Sequence, residues 1–320
     1  MSKIKIGIAG NQWITEYLVN KLILNDLTPH LILNMDKTWS KKISGYTNLE
    51  NKLIDNNISI YRPKQYNLGS MEDKEFLLKQ NLDILLVFGW QRLIPKWYIE
   101  SFKYGVWGVH GGPEKPPRCR GQAVFNWSLI LGYKKFYMYL FEITPGVDEG
   151  NIAEMTNFDI LDSDDILTLY HKNCIVSSKM FIDNIPKILD GSVTLIKQPT
   201  DQEATYLPKR KPENGGINWN WSSERLVNFV RALAPPYPGA FSKINNIQIY
   251  IFKLQIFDSQ LKFNYPTGTI IEVFPNKDLL VSTNDKSVYI RDWKLDQNLN
   301  IEKGMRFDLV SGIELDDPIV

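Results

Sequence analysis

The chain of 320 residues contains little cysteine and little histidine. Its two cysteines, Cys119 and Cys174, lie far apart and form no C-x-x-C motif, and only three histidines occur. This set excludes a disulfide framework and offers no metal-ligand spacing, so we expect no bound metal. A histidine that falls within a sequence motif is therefore a candidate for acid–base chemistry.

Long apolar runs and blocks of one charge sign are also missing. No window approaches 18 uninterrupted apolar residues, and the first residues show neither a long apolar core nor a small-residue cleavage site. The net charge is +1, and no segment carries five or six like charges in succession. This lacks the electrostatic footprint of a nucleic-acid binder. We expect a soluble cytoplasmic protein with no membrane contact, which could meet nucleic acid only through a local basic patch.

The first two thirds of the chain alternate between strand and helix patterns. Hydrophobic residues make up 43% of the chain, enough for sizeable cores. Strands are predicted at 3–10, 30–36, 58–61, 83–89, 105–110 and 136–143, with helices between them. A long helix should follow near residue 162, with Asp162 or Ser163 as its cap. This order predicts an α/β, Rossmann-like domain with a mainly parallel sheet.

The pattern of the sequence changes near Tyr206. A polar connector, "LPKRKPENGG", leads to a short helix and a proline-rich turn. Strands then follow at roughly ten-residue spacing, at 243–257, 268–274, 277–283 and 287–295. Such a series predicts a smaller, mainly-β, barrel-like C-terminal domain. We therefore predict domains at residues 1–205 and 206–320.

One stretch, "GVWGVHGGPEKPPRCRG" from Gly105 to Gly121, ends a predicted strand in a histidine. In open parallel sheets, ligands bind beyond the carboxyl ends of the strands, so His110 should lie on the floor of a crevice. A later loop, "TPGVDEGNI", would present Asp148 from a rigid proline and glycine frame. A histidine and a carboxylate side by side form an acid–base pair. A structural hydrogen-bonding role for His110, and a turn role for Asp148, remain open.

Several stretches together resemble the N10-formyltetrahydrofolate-dependent formyltransferases. The resemblance rests on "GVHGGPEKPPRCRGQAVFNWSLILG" followed by "ITPGVDEGNI", and on "DILLVFGWQRLIPKWYI" before them. It continues through "EATYLPKRKPENGGINW", "LVNFVRALAPPYPGAFSKI" and "PTGTIIEVFPNKDLLVSTNDKSVYI" in the same order. It implies an N-formyltransferase with N10-formyltetrahydrofolate as cofactor. The resemblance makes His110 and Asp148 catalytic and places the cofactor on two loops: Phe88, Gly89, Trp90, Gln91 and Leu93, and Ile143, Thr144, Pro145 and Gly146.

The sequence departs from this family at Gly108. The family has an asparagine two residues before the histidine, whose amide is thought to stabilise the oxyanion. Loss of one such donor costs about 10²–10³ in rate. The backbone N–H groups of Gly111 and Gly112, or the side chains of Gln91 and Asn126, are candidate substitutes.

The acceptor amine is inferred from the family's branches. Glycinamide ribonucleotide formyltransferases lack the C-terminal domain, and in methionyl-tRNA formyltransferases that domain helps to bind tRNA. Phosphate contacts need positive charge, but residues 264–320 hold six Lys or Arg against ten Asp or Glu, a net charge of −4. "ALAPPYPGAFSKI" resembles the enzyme that formylates UDP-4-amino-4-deoxy-arabinose.

We therefore expect a nucleotide-linked amino sugar of the UDP- or dTDP-4-amino sugar type as substrate, as used in bacterial surface polysaccharides such as lipopolysaccharide and O-antigen. The expected substrate contacts are Gly111, Gly112, Arg118, Arg120, Gly121, Lys209, Arg210 and Arg231. The basic residues have alternative roles as a solvated linker, a helix brace or the support of their own loop. The related sugar enzymes are often dimers, so a homodimer is a further partner to test. A methionyl-tRNA formyltransferase, or a ligand-binding homologue impaired by Gly108, stays open as an alternative.

Overall fold

The chain divides into two units that are not continuous in sequence. The computed structural model describes residues 4–43, 45–53 and 58–308. Unit 1 comprises Met1–Arg120, Tyr137–Phe158 and Tyr170–Thr205, and unit 2 comprises Gly121–Phe136, Asp159–Leu169 and Tyr206–Val320. Two segments that precede residue 205 thus group with the C-terminal part. The contiguous limits 1–205 and 206–320 stay a prediction of the sequence.

The first eight strands are short and lie in the N-terminal two thirds. They are β1 (Ile6–Ala9), β2 (Leu31–Leu33), β3 (Ser59–Tyr61), β4 (Ile84–Val87), β5 (Val106–Gly112), β6 (Arg120–Gly121), β7 (Lys135–Glu142) and β8 (Ile152–Asp159). All except β6 form one sheet in the order β3-β2-β1-β4-β5-β7-β8. The first five strands in this order, β3, β2, β1, β4 and β5, run parallel to one another, and β7 lies antiparallel to β5. This confirms the predicted mixed α/β class with a largely parallel sheet.

Within the described residues, six α-helices occur in the same part of the sequence. They are α1 (Trp13–Ile23), α2 (Glu50–Leu53), α3 (Met71–Lys79), α4 (Lys96–Ile99), α5 (Val124–Ile130) and α6 (Ile166–Asp190). The central strands are buried along their whole length, as β1 and β4 show, because helices cover both faces of such a sheet. None of the described helices combines the length and apolar character that a membrane span requires.

The long helix α6 begins at Ile166, three residues later than a cap at Asp162 would place it and two residues later than a cap at Ser163 would. The N–H of Thr168 donates to the carboxylate of Asp165, and the N–H of Asp165 donates to the hydroxyl of Thr168. This reciprocal pair satisfies two backbone donors at the helix start. Asp165 is therefore the cap, and the predicted caps are wrong.

Unit 2 contains the remaining elements. They are β9 (Tyr206–Leu207), α7 (Ser223–Leu233), β10 (Ala240–Ile244), β11 (Ile247–Asp258), β12 (Ile270–Val273), β13 (Leu279–Ser282) and β14 (Ser287–Leu295). The last five form an antiparallel sheet in the order β10-β11-β14-β13-β12. This confirms the predicted C-terminal β domain. Within the described residues, the end strands β10 and β12 do not pair to close a barrel.

The single strand predicted at 243–257 is a hairpin. Asn245 and Asn246 have φ values of +51° and +64° and connect β10 to β11. Two consecutive residues with positive φ are what a tight hairpin turn needs, and asparagine tolerates this conformation.

A buried asparagine holds together the loops beyond β1 and β2. Asn34 is fully buried, its amide donates to the carbonyls of Gly10 and Thr47, and its oxygen accepts from the N–H of Leu49. The nearby Asp36 is exposed and caps a short turn through the N–H of Thr38. Hydrogen bonds of the Asn34 side chain therefore join these loops to one another.

We expect Asn34→Ala to destabilise this region, because it leaves buried backbone groups without a partner. The free energy of unfolding should fall by about 1–3 kcal/mol for each such group. Urea unfolding followed by circular dichroism measures this change. The exposed Asn25, whose side-chain amide donates to the Lys21 carbonyl four residues before it, provides the control Asn25→Ala. Equal stabilities of the two variants would contradict the assigned role.

Candidate active site

The candidate site lies where β5 extends beyond its parallel neighbour. The strand β4 pairs with β5 only as far as Val87 opposite Gly108. Beyond that point β5 continues to Gly112, paired with β7. His110 therefore lies within a strand and not at its end, and its neighbour across the ladder is Tyr139.

His110 and Asp148 come together as a pair in unit 1. The Nε2 atom of His110 lies 3.7 Å from Oδ2 of Asp148, and the two side chains are 15% and 23% exposed. Nε2 is buried and has no hydrogen-bond partner among the described protein groups. An unpartnered buried nitrogen is costly. Nε2 can therefore form a hydrogen bond with a group that enters the site.

Tyr139 forms one wall around His110. The two rings meet edge to face with centroids 5.7 Å apart, and Tyr139 is 1% exposed. Burial raises the pKa of the Tyr139 hydroxyl well above its usual value, and the nearby Asp148 carboxylate adds to this rise. The phenol therefore stays neutral, and its buried hydroxyl has no hydrogen-bond partner among the described residues.

The loop that carries Asp148 follows β7 and is tightly folded. Asp148 has a φ of +50°, the left-handed conformation that non-glycine residues other than Asn and Asp rarely adopt. A Cβ atom at Gly150 would lie 1.8 Å from the carbonyl oxygen of Glu142, so only glycine fits there. Thr144 donates to the carboxylate of Glu149, and Pro145 and Gly146 lie in the same turn.

The space above Gly108 is filled by an apolar side chain. A Cβ atom at Gly108 would lie 2.8 Å from Cδ1 and 3.2 Å from Cγ1 of Ile143. Ile143 packs in a small cluster with Tyr139 and Phe141. The position where the resemblance predicts an asparagine thus lies against a methyl group.

Two of the candidate substitutes have distinct surroundings. The amide of Asn126 is buried in unit 2 and donates to the carbonyl of Ala232. Gln91 is exposed, and its backbone N–H donates to the hydroxyl of Tyr66. Gly111 and Gly112 are buried within β5 opposite Met138 and Tyr137. Asn126 therefore already uses one of its two amide N–H groups on a protein carbonyl.

The predicted cofactor loop after β4 mixes packed and exposed residues. Phe88 is buried, and Gly89 has a φ of +82°. Trp90 is 8% exposed and packs edge to face on Tyr66, but its indole N–H has no partner among the described groups. Leu93, in contrast, is 55% exposed. This loop thus combines a buried N–H that lacks a partner among the described groups with an exposed apolar side chain.

The two arginines of the loop after β5 have protein partners. Arg118 pairs with Glu114 four residues before it. Arg120 is 8% exposed and donates to the side chain of Gln198. These contacts favour the alternative in which both arginines support the protein around them.

The other predicted substrate residues, Gly121, Lys209, Arg210 and Arg231, belong to unit 2. Gly121 lies in β6 and Lys209 is exposed. Arg210 stacks on Trp127 and Phe229, and burial lowers its pKa to about 10. Its Nε and Nη1 atoms lack partners among the described residues.

Arg231 is 9% exposed and donates to three backbone carbonyls, those of Leu161, Asp162 and Asp164. Its Nε donates to the side chain of Asn228. These bonds favour the bracing role over the predicted contact with substrate.

Two other kinds of chemistry find no support in this region. Burial raises the pKa of the Cys119 thiol to about 11, so a thiolate nucleophile does not form near neutral pH. No group of three or more His, Cys, Asp or Glu side chains within residues 4–43, 45–53 and 58–308 is arranged to hold a metal ion.

Two protein-family models match the chain. One, described as formyl transferase, matches residues 18–185, and the other, described as formyl transferase C-terminal domain, matches residues 209–304. The chain is 31% identical over 262 residues to the bifunctional polymyxin resistance protein ArnA of Wigglesworthia glossinidia brevipalpis. This alignment covers 81% of the chain but only 38% of that protein's length. The chain is 27% identical over 256 residues to methionyl-tRNA formyltransferase of Bacillus subtilis, covering 78% and 76% of the two chains.

A solved structure has the same fold. The N-formyltransferase from Helicobacter canadensis, solved in complex with folinic acid and dTDP-3-aminofucose, superposes with a TM-score of 0.64. The match covers 90% of this chain and 99% of that one at 17% identity.

We predict that neither cysteine reacts in the native protein at pH 7.5. Both thiols are buried, and burial raises the pKa of Cys119 to about 11 and that of Cys174 to about 12. Ellman's reagent should therefore titrate no thiol until urea unfolds the chain, after which it should titrate both. Rapid labelling of native Cys119, abolished by Cys119→Ser, would show the opposite.

Proposed function

Because this chain belongs to the formyl transferase family, we propose that it transfers the formyl group of N10-formyltetrahydrofolate to the primary amine of a nucleotide-linked amino sugar. The observation that carries this proposal is the half-buried His110–Asp148 pair with an unpartnered imidazole nitrogen. The fold of the dTDP-3-aminofucose-bound Helicobacter canadensis enzyme supports the choice of acceptor.

The residues of unit 1 fit the cofactor. The orphaned indole N–H of Trp90 can donate to a ring heteroatom, and the exposed side chain of Leu93 can cover a flat apolar face. These residues, with Ile143 and the Thr144–Gly146 turn, would hold N10-formyltetrahydrofolate. Bound there, it would supply the formyl carbon that the amine attacks.

His110 and Asp148 would move and balance the proton. The attacking amine loses a proton as its new C–N bond forms, and Nε2 of His110 takes up this proton. The same nitrogen returns it to the nitrogen that leaves when the old C–N bond breaks. The carboxylate of Asp148 would stabilise the imidazolium in between.

A second acceptor, methionyl-tRNA, is favoured by one observation. Residues 206–263 carry eight Lys or Arg against three Asp or Glu, in contrast to the acidic residues 264–320. A basic segment of this kind can contact phosphates, and binding would weaken steeply with salt. If the protein binds initiator tRNA tightly and in a salt-dependent way, and formylates it, methionyl-tRNA takes the place of the amino sugar as the proposed acceptor.

The deciding experiment incubates the protein with N10-formyltetrahydrofolate and a panel of UDP- and dTDP-linked 3-amino and 4-amino sugars. Formylation adds one formyl mass to the sugar and releases tetrahydrofolate. We expect His110→Asn and Asp148→Asn each to lower kcat by about 10²–10⁴-fold, because each removes acid–base chemistry. Asparagine is chosen because it tolerates the left-handed backbone of residue 148.

The exposed His171 on α6 provides the matched control His171→Asn, which should keep full activity. Folate binding without turnover on any sugar or tRNA would instead identify a binding protein that no longer catalyses. Unchanged turnover in both site variants would refute the proposed pair.

A separate prediction concerns Gly108. Gly108→Asn alone should not raise kcat, because the new side chain meets Ile143. The double variant Gly108→Asn with Ile143→Ala makes room for the amide, and we expect kcat to rise by up to about 10²-fold relative to Ile143→Ala alone. No difference between these two variants would mean that another group already stabilises the oxyanion.

A further inference from the structure

A buried side-chain amide holds the backbone of the loop that carries Asp148. Gln198 is 7% exposed and lies in the segment after α6. Its Nε2 donates to the carbonyl of Asp148 at 2.8 Å and to the carbonyl of Gly150 at 3.0 Å. Both N–H bonds of one amide thus bind the same short loop.

The segment around Gln198 is itself anchored. Two residues earlier, Ile196 exchanges two backbone hydrogen bonds of 2.8 Å with Ile152 at the start of β8. This bridge fixes the segment beside the strand into which the Asp148 loop leads. Gln198 therefore reaches the loop from a fixed backbone position.

Arg120 determines which way the amide of Gln198 faces. Nη2 of Arg120 donates to Oε1 of Gln198 at 2.6 Å, and the backbone N–H of Arg120 donates to the carbonyl of Thr205. A guanidinium can only donate, so the amide oxygen must face it and the amide nitrogen must face the loop. The two loop carbonyls can only accept, which requires the same orientation.

From these contacts we infer that Gln198, oriented by Arg120, is a positioning residue for Asp148. The two hydrogen bonds bracket a residue with a φ of +50° and thereby hold its carboxylate 3.7 Å from Nε2 of His110. This inference assigns Arg120 a supporting role in place of a substrate contact. The expected effect of Gln198 on kcat rests on the proposed formyl transfer, but its expected effect on the position of Asp148 beside His110 does not.

The first test needs no substrate. The chain has only three histidines, so ¹⁵N-histidine labelling and NMR can follow the His110 imidazole by itself. Gln198→Met removes the donors at similar volume, and Gln198→Glu keeps an acceptor for Arg120 but turns a carboxylate toward two carbonyls. We expect both variants to shift the His110 signals and to leave those of His30 and His171 in place.

The exposed Gln202 in the same segment provides the control Gln202→Met, which should leave all three histidines unchanged. Unchanged His110 signals in a folded Gln198→Met or Gln198→Glu protein would overturn the inference, whatever the enzyme's substrate. If Gln198→Met does not fold, Gln198→Glu still decides, because its pairing with Arg120 is retained.

The second test uses the enzyme assay. We expect Gln198→Glu to lower kcat by about 10²-fold with KM for both substrates changed less than about threefold, because a displacement of about 1 Å in a catalytic group has this effect. Arg120→Met should lower kcat similarly, and the double variant should be no worse than either single one, because the two residues act in series. Additive losses would contradict the link. Failure of formyl transfer in the wild type, with shifted His110 signals in the variants, would refute the proposed function alone.

Discussion

The antiparallel pairing of β5 with β7 is the contact on which the sheet and the site both depend. Six residue pairs, from Trp107–Glu142 to Gly112–Tyr137, join the last parallel strand to a strand of opposite direction. Because β4 stops opposite Gly108, the strand that pairs with the rest of β5 among the described residues is β7. His110 therefore lies on a rigid ladder, with Tyr139 across from it.

The same pairing explains the apolar character of one side of the site. Phe141 lies opposite Gly108, and Ile143, two residues after Phe141, fills the space above the glycine. The surroundings of His110 thus combine an apolar surface with an imidazole nitrogen that lacks a partner among the described groups. Electrostatic interactions are stronger in such surroundings than in water.

Elements with a strong local signal were predictable from the sequence. The run that forms β4 is buried at all four positions, and such a run reads as a strand without any tertiary information. The edge strand β8 was missed, because only alternate residues are covered and the segment contains Glu154 and Asn157. The asparagine pair at 245–246 was a usable hairpin signal that the apolar residues on both sides obscured.

Within the site, the residue types in the sequence predicted the His110–Asp148 pair but not the side chains that hold Asp148 in place. His110 and Asp148 stood out because glycine and proline surround them. Gln198 had no local signal, since its bonds reach residues 48, 50 and 78 positions away in the chain. Long-range hydrogen bonds of this kind follow from the fold and leave no pattern in neighbouring residues. The bracing of Arg231 by carbonyls about 70 positions away is a second example.

The tie between Gln198 and the Asp148 loop also bears on the order in which the protein forms during synthesis. The strand that carries His110 and the loop that carries Asp148 leave the ribosome before residue 198 does, although all three residues belong to unit 1 and domains generally fold as units. Until that residue is exposed, the carbonyls of Asp148 and Gly150 lack the amide that binds them. Synthesis of the acid–base pair is thus complete 50 residues before synthesis of the side chain that holds its geometry, so the pair reaches its final arrangement only after residue 198 has been added.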